Sequence, residues 1–317
     1  GELSLVAEDI ANMPLTESFV AHLINVSGYQ IVITCIGIDG KEYYDAFVDQ
    51  ANKPESDAKL TIVDQWIADK AKERGCRKIE AGEAIAETRE LLNKLIANMN
   101  CTDPMFSTNM PPHMSEMPAV FSTLLEEGAV PSSELLIAAM LHDVSYLYDG
   151  YYVAIKDEPT QGTDHYLQYV KAVQHPALVL NFIMPRLEAL GIDKQLREKI
   201  KYIILYHDIS IDPGKLNKPD AIDDVDWQKV IRDLRVLRDA DAFSYFVPAI
   251  ITNSCRVLKD AGKESYGQIY KKYTTNLALQ PKIDAWMEAH KADFMATKDG
   301  KFAYDLFLQV QKDAVSA

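Results

Sequence analysis

The chain has 317 residues, 48% of them hydrophobic and 25% charged, which is ordinary globular composition and sets aside the disordered and fibrous classes. With 33 Lys and Arg against 47 Asp and Glu it carries a formal net charge of −14, which repels a phosphate backbone and excludes a nucleic-acid polymer as the expected partner. Cys35, Cys76, Cys101 and Cys255 form no CxxC pair, and no stretch approaches the roughly 20 apolar residues that span a bilayer, so free thiols, a reducing cytoplasm and no membrane partner are expected.

In chain order, residues 29–48 place β-branched and aromatic residues on both sides of Asp39-Gly40, a dipeptide suited to a tight hairpin turn. Leu60 to Lys72 and Gly82 to Met99 then show helical spacing, for example Ile85, Thr88, Leu91, Leu92 and Leu95. Residues 1–100 therefore read as a small α+β region with no assigned role. Pro104, Pro111, Pro112 and Pro118 are expected to forbid a continuous helix over 100–118, and the domain boundary is placed there. Beyond it, helices are expected over Ser132–Leu147, Asp164–Gln174, Leu178–Leu190, Lys194–Tyr206 and Trp227–Val247 and on to the C-terminal end. The fold class is mainly α, with an all-helical domain over 101–317.

Chemistry concentrates on the histidines. His142-Asp143 closes the apolar helical run that begins at Glu134. Imidazole and carboxylate are ligands that Mn, Fe, Co, Zn or Mg accept, and adjacent helical positions lie about 100° apart, so both can reach one side. A His-Asp pair alone is more often an ordinary polar helix end. Here His113 stands ahead of it, just before a helix, and Asp241 follows Ala240 far behind it on another helix.

This order, His113, then His142-Asp143, then the distant Asp241, resembles the signature of the HD superfamily of metal-dependent phosphohydrolases and phosphodiesterases, over residues 101–317. The resemblance implies an HD-type helical bundle in which His113, His142, Asp143 and Asp241 hold one divalent ion. His165 and His207 extend the order to that of the binuclear branch, in which Asp143 would bridge two ions; a single ion stays open. Water between two cations loses its proton near neutral pH and can attack phosphorus in line, with His142 and Asp143 as the central catalytic residues. The branch that cleaves cyclic di-GMP follows its dyad with Gly-Lys and carries Gly-Tyr-Pro, whereas this chain continues Val144-Ser145-Tyr146 and has no Gly-Tyr-Pro, so that substrate is not expected.

Lys156, Lys171, Arg238 and Tyr146 are candidates for gripping a substrate, although the three cations read more readily as plain surface charges and the tyrosines Tyr146, Tyr148, Tyr151 and Tyr152 as either a lid or core packing. His175, His22 and His290 read as structural or surface residues, Asp239 as facing solvent or bonding behind the ligands, and Asp208 either as the start of the turn 209–214 or as a second His-Asp pair with His207. The leading expectation is hydrolysis of a phosphoester of a small phosphorylated molecule or nucleotide. A mixed-valent di-iron oxygenase on the same ligand set and a non-catalytic HD sensor or interaction protein are the alternatives, and a homo-oligomer is compatible with any of them.

Overall fold

The structure, a computed structural model, describes residues 22–26, 29–33, 58–75, 77, 79–148, 176, 179–208, 212–258 and 260–316. Most of these are helical. Strand β1 (His22–Val26) pairs antiparallel with β2 (Tyr29–Ile33), with Val26 opposite Tyr29. The start of the 29–48 segment is thus a strand paired with the residues before it, and the Asp39-Gly40 turn lies outside the described residues.

Contacts divide the chain into two compact units, one of residues 1–100 with 133–235 and one of residues 101–132 with 236–317. In the first, α1 (Ala58–Arg74) and α2 (Ala81–Ala97) pack together. α2 buries Ala84, Thr88, Leu91, Leu92 and Leu95, a stripe at the three- and four-residue steps of one helix face. α4 (Ser133–Leu141) differs because it is apolar all round: Leu135, Ile137, Ala138, Ala139, Met140 and Leu141 are all buried. A helix without a polar face belongs in a core, and α4 lies against both α2 and α6 (Lys194–Tyr206). A further helix, α5, covers 179–189. Arg74 at the end of α1 links this unit internally, reaching Glu87 at 2.7 Å and donating to the Leu190 carbonyl.

The second unit begins with α3 (Pro104–Leu124), which corrects the expectation that its prolines forbid a continuous helix. Pro104 sits at the first helical position, where a missing N–H leaves nothing unsatisfied, and the Asp103 carboxylate caps the end by accepting from Met105 N at 2.9 Å. Pro111, Pro112 and Pro118 lie inside the helix. Pro112 removes the donor that would serve the Thr108 carbonyl, and the Asn253 side-chain amide supplies one instead at 3.4 Å. Asn253 lies on α8 (Pro248–Val257), which packs against α3. α9 (Ala261–Thr275), α10 (Gln280–Ala289), α11 (Lys291–Met295) and α12 (Lys298–Ser316) complete the unit around Phe246, Tyr273 and Phe307. α7 (Asp224–Ser244) contains the point at which the chain passes from one unit to the other. No described helix is long and apolar enough to cross a membrane, and Cys101 and Cys255 are free thiols.

Candidate metal centre

The apolar character of α4 is what carries its last polar residues into the interior. The His142 amide still bonds the Ala138 carbonyl at 2.8 Å, so the helical path continues one residue past Leu141. At Asp143 the backbone turns off it (φ −115°, ψ 10°), in the bridge region between helix and strand, and enters a single 3-10 turn, Val144–Leu147. His142 is fully buried and Asp143 nearly so. α6 ends the same way, with buried His207 as its capping residue. The His142 and His207 rings meet edge to face, 5.0 Å between centroids. The Asp143 carboxylate faces both, Oδ2 lying 3.4 Å from His142 Nε2 and Oδ1 3.8 Å from His207 Nε2.

His113 is buried within α3 rather than just ahead of a helix, a second consequence of the prolines being accommodated. Its Nε2 is 3.4 Å from Oδ1 of Asp241 on α7. Its Nδ1 is 2.9 Å from the Ser244 hydroxyl, which itself donates to the Asp241 backbone carbonyl at 2.7 Å.

The three histidines share one arrangement. Nδ1 of His142 meets the Ala139 carbonyl at 3.0 Å, and Nδ1 of His207 meets the Ile204 carbonyl at 2.6 Å. A carbonyl only accepts, so in both rings Nδ1 carries a proton and donates it. For His113 the Ser244 hydroxyl proton is committed to Asp241, which makes the Ser244 oxygen the acceptor again. In its neutral form each ring then bears its lone pair on Nε2, the atom turned toward a carboxylate. That is how imidazoles are set up as metal ligands, the other nitrogen being anchored by a hydrogen bond.

With one donor atom taken from each, His113, His142, Asp143 and Asp241 lie within 4.8 Å of one another, three of them buried and Asp241 half-buried. Two ligands of one first-row cation, each about 2.1 Å from it, stand roughly 3.0–3.4 Å apart, depending on geometry. The 3.4 Å separations of His113 from Asp241 and of His142 from Asp143 suit such a shell. This buried group of two imidazoles and two carboxylates can hold a metal ion, and its N and O donors with no thiolate fit Mn, Fe, Co, Zn or Mg. Comparison with protein-family models, with curated proteins and with solved structures found no match.

His207 lies beside this group through Asp143, whereas His165, Lys156 and Lys171 are outside the described residues. Arg238 on α7 and Tyr146 in the 3-10 turn are half-buried and are not among the four grouped donors. Tyr148 is a core residue: its hydroxyl donates to the Leu95 carbonyl at 2.8 Å and its ring lies beside Phe182. Asp239 lies about 200° around α7 from Asp241 and is more exposed than it, although partial burial still pushes its carboxyl above the usual carboxylate range. His290 stacks on Trp286 at 3.8 Å. Two further residues lie near the histidines. Asp208, which the repeated His-Asp dipeptide marked as a candidate beside its reading as a turn residue, has Oδ2 3.5 Å from His207 Nε2. Ser244 offered no signal beyond standing three residues after Asp241 on a helix.

Proposed function

We propose that the protein is a metal-dependent phosphoric ester hydrolase of the HD type, acting on a small phosphorylated molecule or nucleotide. The observation that carries this reading is the buried His113, His142, Asp143, Asp241 group, which unites the residues of the HD-like order. A divalent ion held there supplies Lewis acidity and a water acidic enough to act as nucleophile near neutral pH. The chain's own part is to fix the donors. Backbone carbonyls orient His142 and His207, Ser244 orients His113, and the burial of three of the four grouped residues limits access of bulk water.

A second ion is part of the proposal. The two oxygens of Asp143 face different imidazoles, His142 and His207, which is the disposition a bridging carboxylate needs, and Asp208 adds a carboxylate beside His207. An anionic substrate would meet a chain of net charge −14, so bound cations are also what would make the site attractive to phosphate.

The test is metal analysis of chain purified without chelator, joined to assays with p-nitrophenyl phosphate and bis-p-nitrophenyl phosphate. Stoichiometric metal with ester hydrolysis supports the reading, and two equivalents support the bridged form. Iron with oxygen consumption and no ester hydrolysis would move the assignment to an oxygenase. Absence of any tightly held divalent metal would end it.

A further inference from the structure

We infer that Ser244 is a positioning residue for the metal centre: one hydroxyl holds His113 in the Nδ1–H tautomer and ties that ring to the backbone of Asp241. The assignment rests on the metal reading above.

The argument begins with the end of α7. Asp241 to Ser244 are its last four residues, and the chain turns back over them, with Phe246 N and Val247 N donating to the Phe243 and Ser244 carbonyls at 2.9 Å. In the same turn Ser244 Oγ donates to Asp241 O at 2.7 Å. That bond uses the only proton the hydroxyl has, so toward His113 Nδ1, 2.9 Å away, the oxygen can only accept. The alternative tautomer has a real attraction, since Asp241 Oδ1 is 3.4 Å from His113 Nε2 and a carboxylate would accept a proton from that nitrogen. The shorter Nδ1 contact decides in favour of Ser244, because hydrogen bonds weaken beyond about 3.2 Å between heavy atoms. With the proton on Nδ1, the Nε2 lone pair faces Asp241 Oδ1, and the two can close on one cation. Ser244 is 2% exposed, so water does not substitute readily for its hydroxyl.

The hydroxyl therefore acts on two ligands at once. It sets which nitrogen of His113 can coordinate, and it braces the turn from which the Asp241 carboxylate projects. Removing it leaves an imidazole whose proton is drawn to Nε2 by Asp241, and a cation would then have to displace that proton.

The test uses the full chain, with 15N-labelled histidines, as wild type, Ser244→Ala and Ser254→Ala. Ser254 is an equally buried hydroxyl that bonds Asn109 and serves as the control for simple loosening. In chelator-treated protein above the ordinary imidazole range, wild-type His113 should show a protonated, pyrrole-like Nδ1 and an unprotonated, pyridine-like Nε2. Ser244→Ala should move the proton toward Nε2 and weaken Mn2+ binding by about 10- to 100-fold, the usual effect of losing an outer hydrogen-bond partner. Ser254→Ala should change neither. Either readout unchanged in Ser244→Ala, or the same losses in Ser254→Ala, overturns the assignment. Wild-type protein that binds no Mn2+ or other divalent ion overturns the metal reading instead, and the nitrogen shifts of the same samples then decide the role of Ser244 separately.

Discussion

The rings of His142 and His207 stand at 85° to each other, 5.0 Å apart, with both Nε2 atoms turned to the single carboxylate of Asp143. Two helices, α4 and α6, end at this point, each delivering a histidine just past its last residue whose Nδ1 is held by its own final-turn carbonyl. The packing of α6 on α4 is what brings these ends together.

Asp143 is thus the hub of the described donors, and its loss should be the most damaging. His142→Ala and Asp143→Ala are expected to lose bound metal together with any activity, each by more than the roughly 10- to 100-fold associated with an outer-shell partner. Asp143→Asn keeps the shape without the charge and should fail equally. His207→Ala should lose one of two equivalents if the carboxylate bridges. Elemental analysis of the purified variants decides; a full complement of metal in both His142→Ala and Asp143→Ala would remove the assigned ligands from consideration.

The tolerance of α3 for internal proline is expected to depend on Asn253. Asn253→Ala leaves the Thr108 carbonyl without that donor and should destabilise the fold by about 1 kcal/mol. In a Pro112→Ala background the restored amide can bond Thr108 itself, and the same substitution should then be nearly neutral. A urea double-mutant cycle measures the difference, and strict additivity would show that the amide does not compensate for the proline.

Arg74 and Glu87 form an ion pair with little solvent access, their side chains 7% and 12% exposed. Replacing Arg74 by Met leaves the Glu87 carboxylate with Lys70, 3.5 Å away, as its remaining cation and removes a donor from the Leu190 carbonyl, and a loss of about 1–3 kcal/mol is expected in denaturant unfolding. A loss below about 1 kcal/mol would class the pair with exposed ones.

At high pH the second unit should weaken first through tyrosines. Burial, joined by hydrogen bonds to Asp284 and Glu288 respectively, pushes the hydroxyls of Tyr273 and Tyr304 up to about 12. An unfolded tyrosine ionises near 10, so the unfolded chain releases these protons first. The contribution is complete below about pH 10 and disappears as pH rises toward 12. Urea midpoints recorded across this window should fall in wild type and fall less in Tyr273→Phe with Tyr304→Phe. Parallel decline in both proteins would place the alkaline sensitivity elsewhere.

Much of the secondary structure was legible because apolar periodicity is a local property. The helix expected over Lys194–Tyr206 has those bounds, and of the expected stripe Thr88, Leu91, Leu92 and Leu95 are buried while Ile85 is half-buried. The proline-rich segment was misjudged for an equally physical reason. Counting lost amide donors along the chain cannot register that Asn253 returns one from another helix. The same error put His113 ahead of a helix instead of inside α3.

Of the centre itself, the sequence determined which residues can act as ligands and in what order they come, since donor chemistry belongs to the residue types and ligand order to their succession along the chain. It also determined that His142 and Asp143 would be carried inward, because a helix without a polar face has nowhere else to go. Only the tertiary structure decided that His113, His142, Asp143 and Asp241 share one small volume, that Asp143 also faces His207, and which nitrogen of His113 carries the proton. Those properties depend on distances of a few ångströms between residues far apart in the chain, and helix packing sets such distances while composition and local periodicity do not.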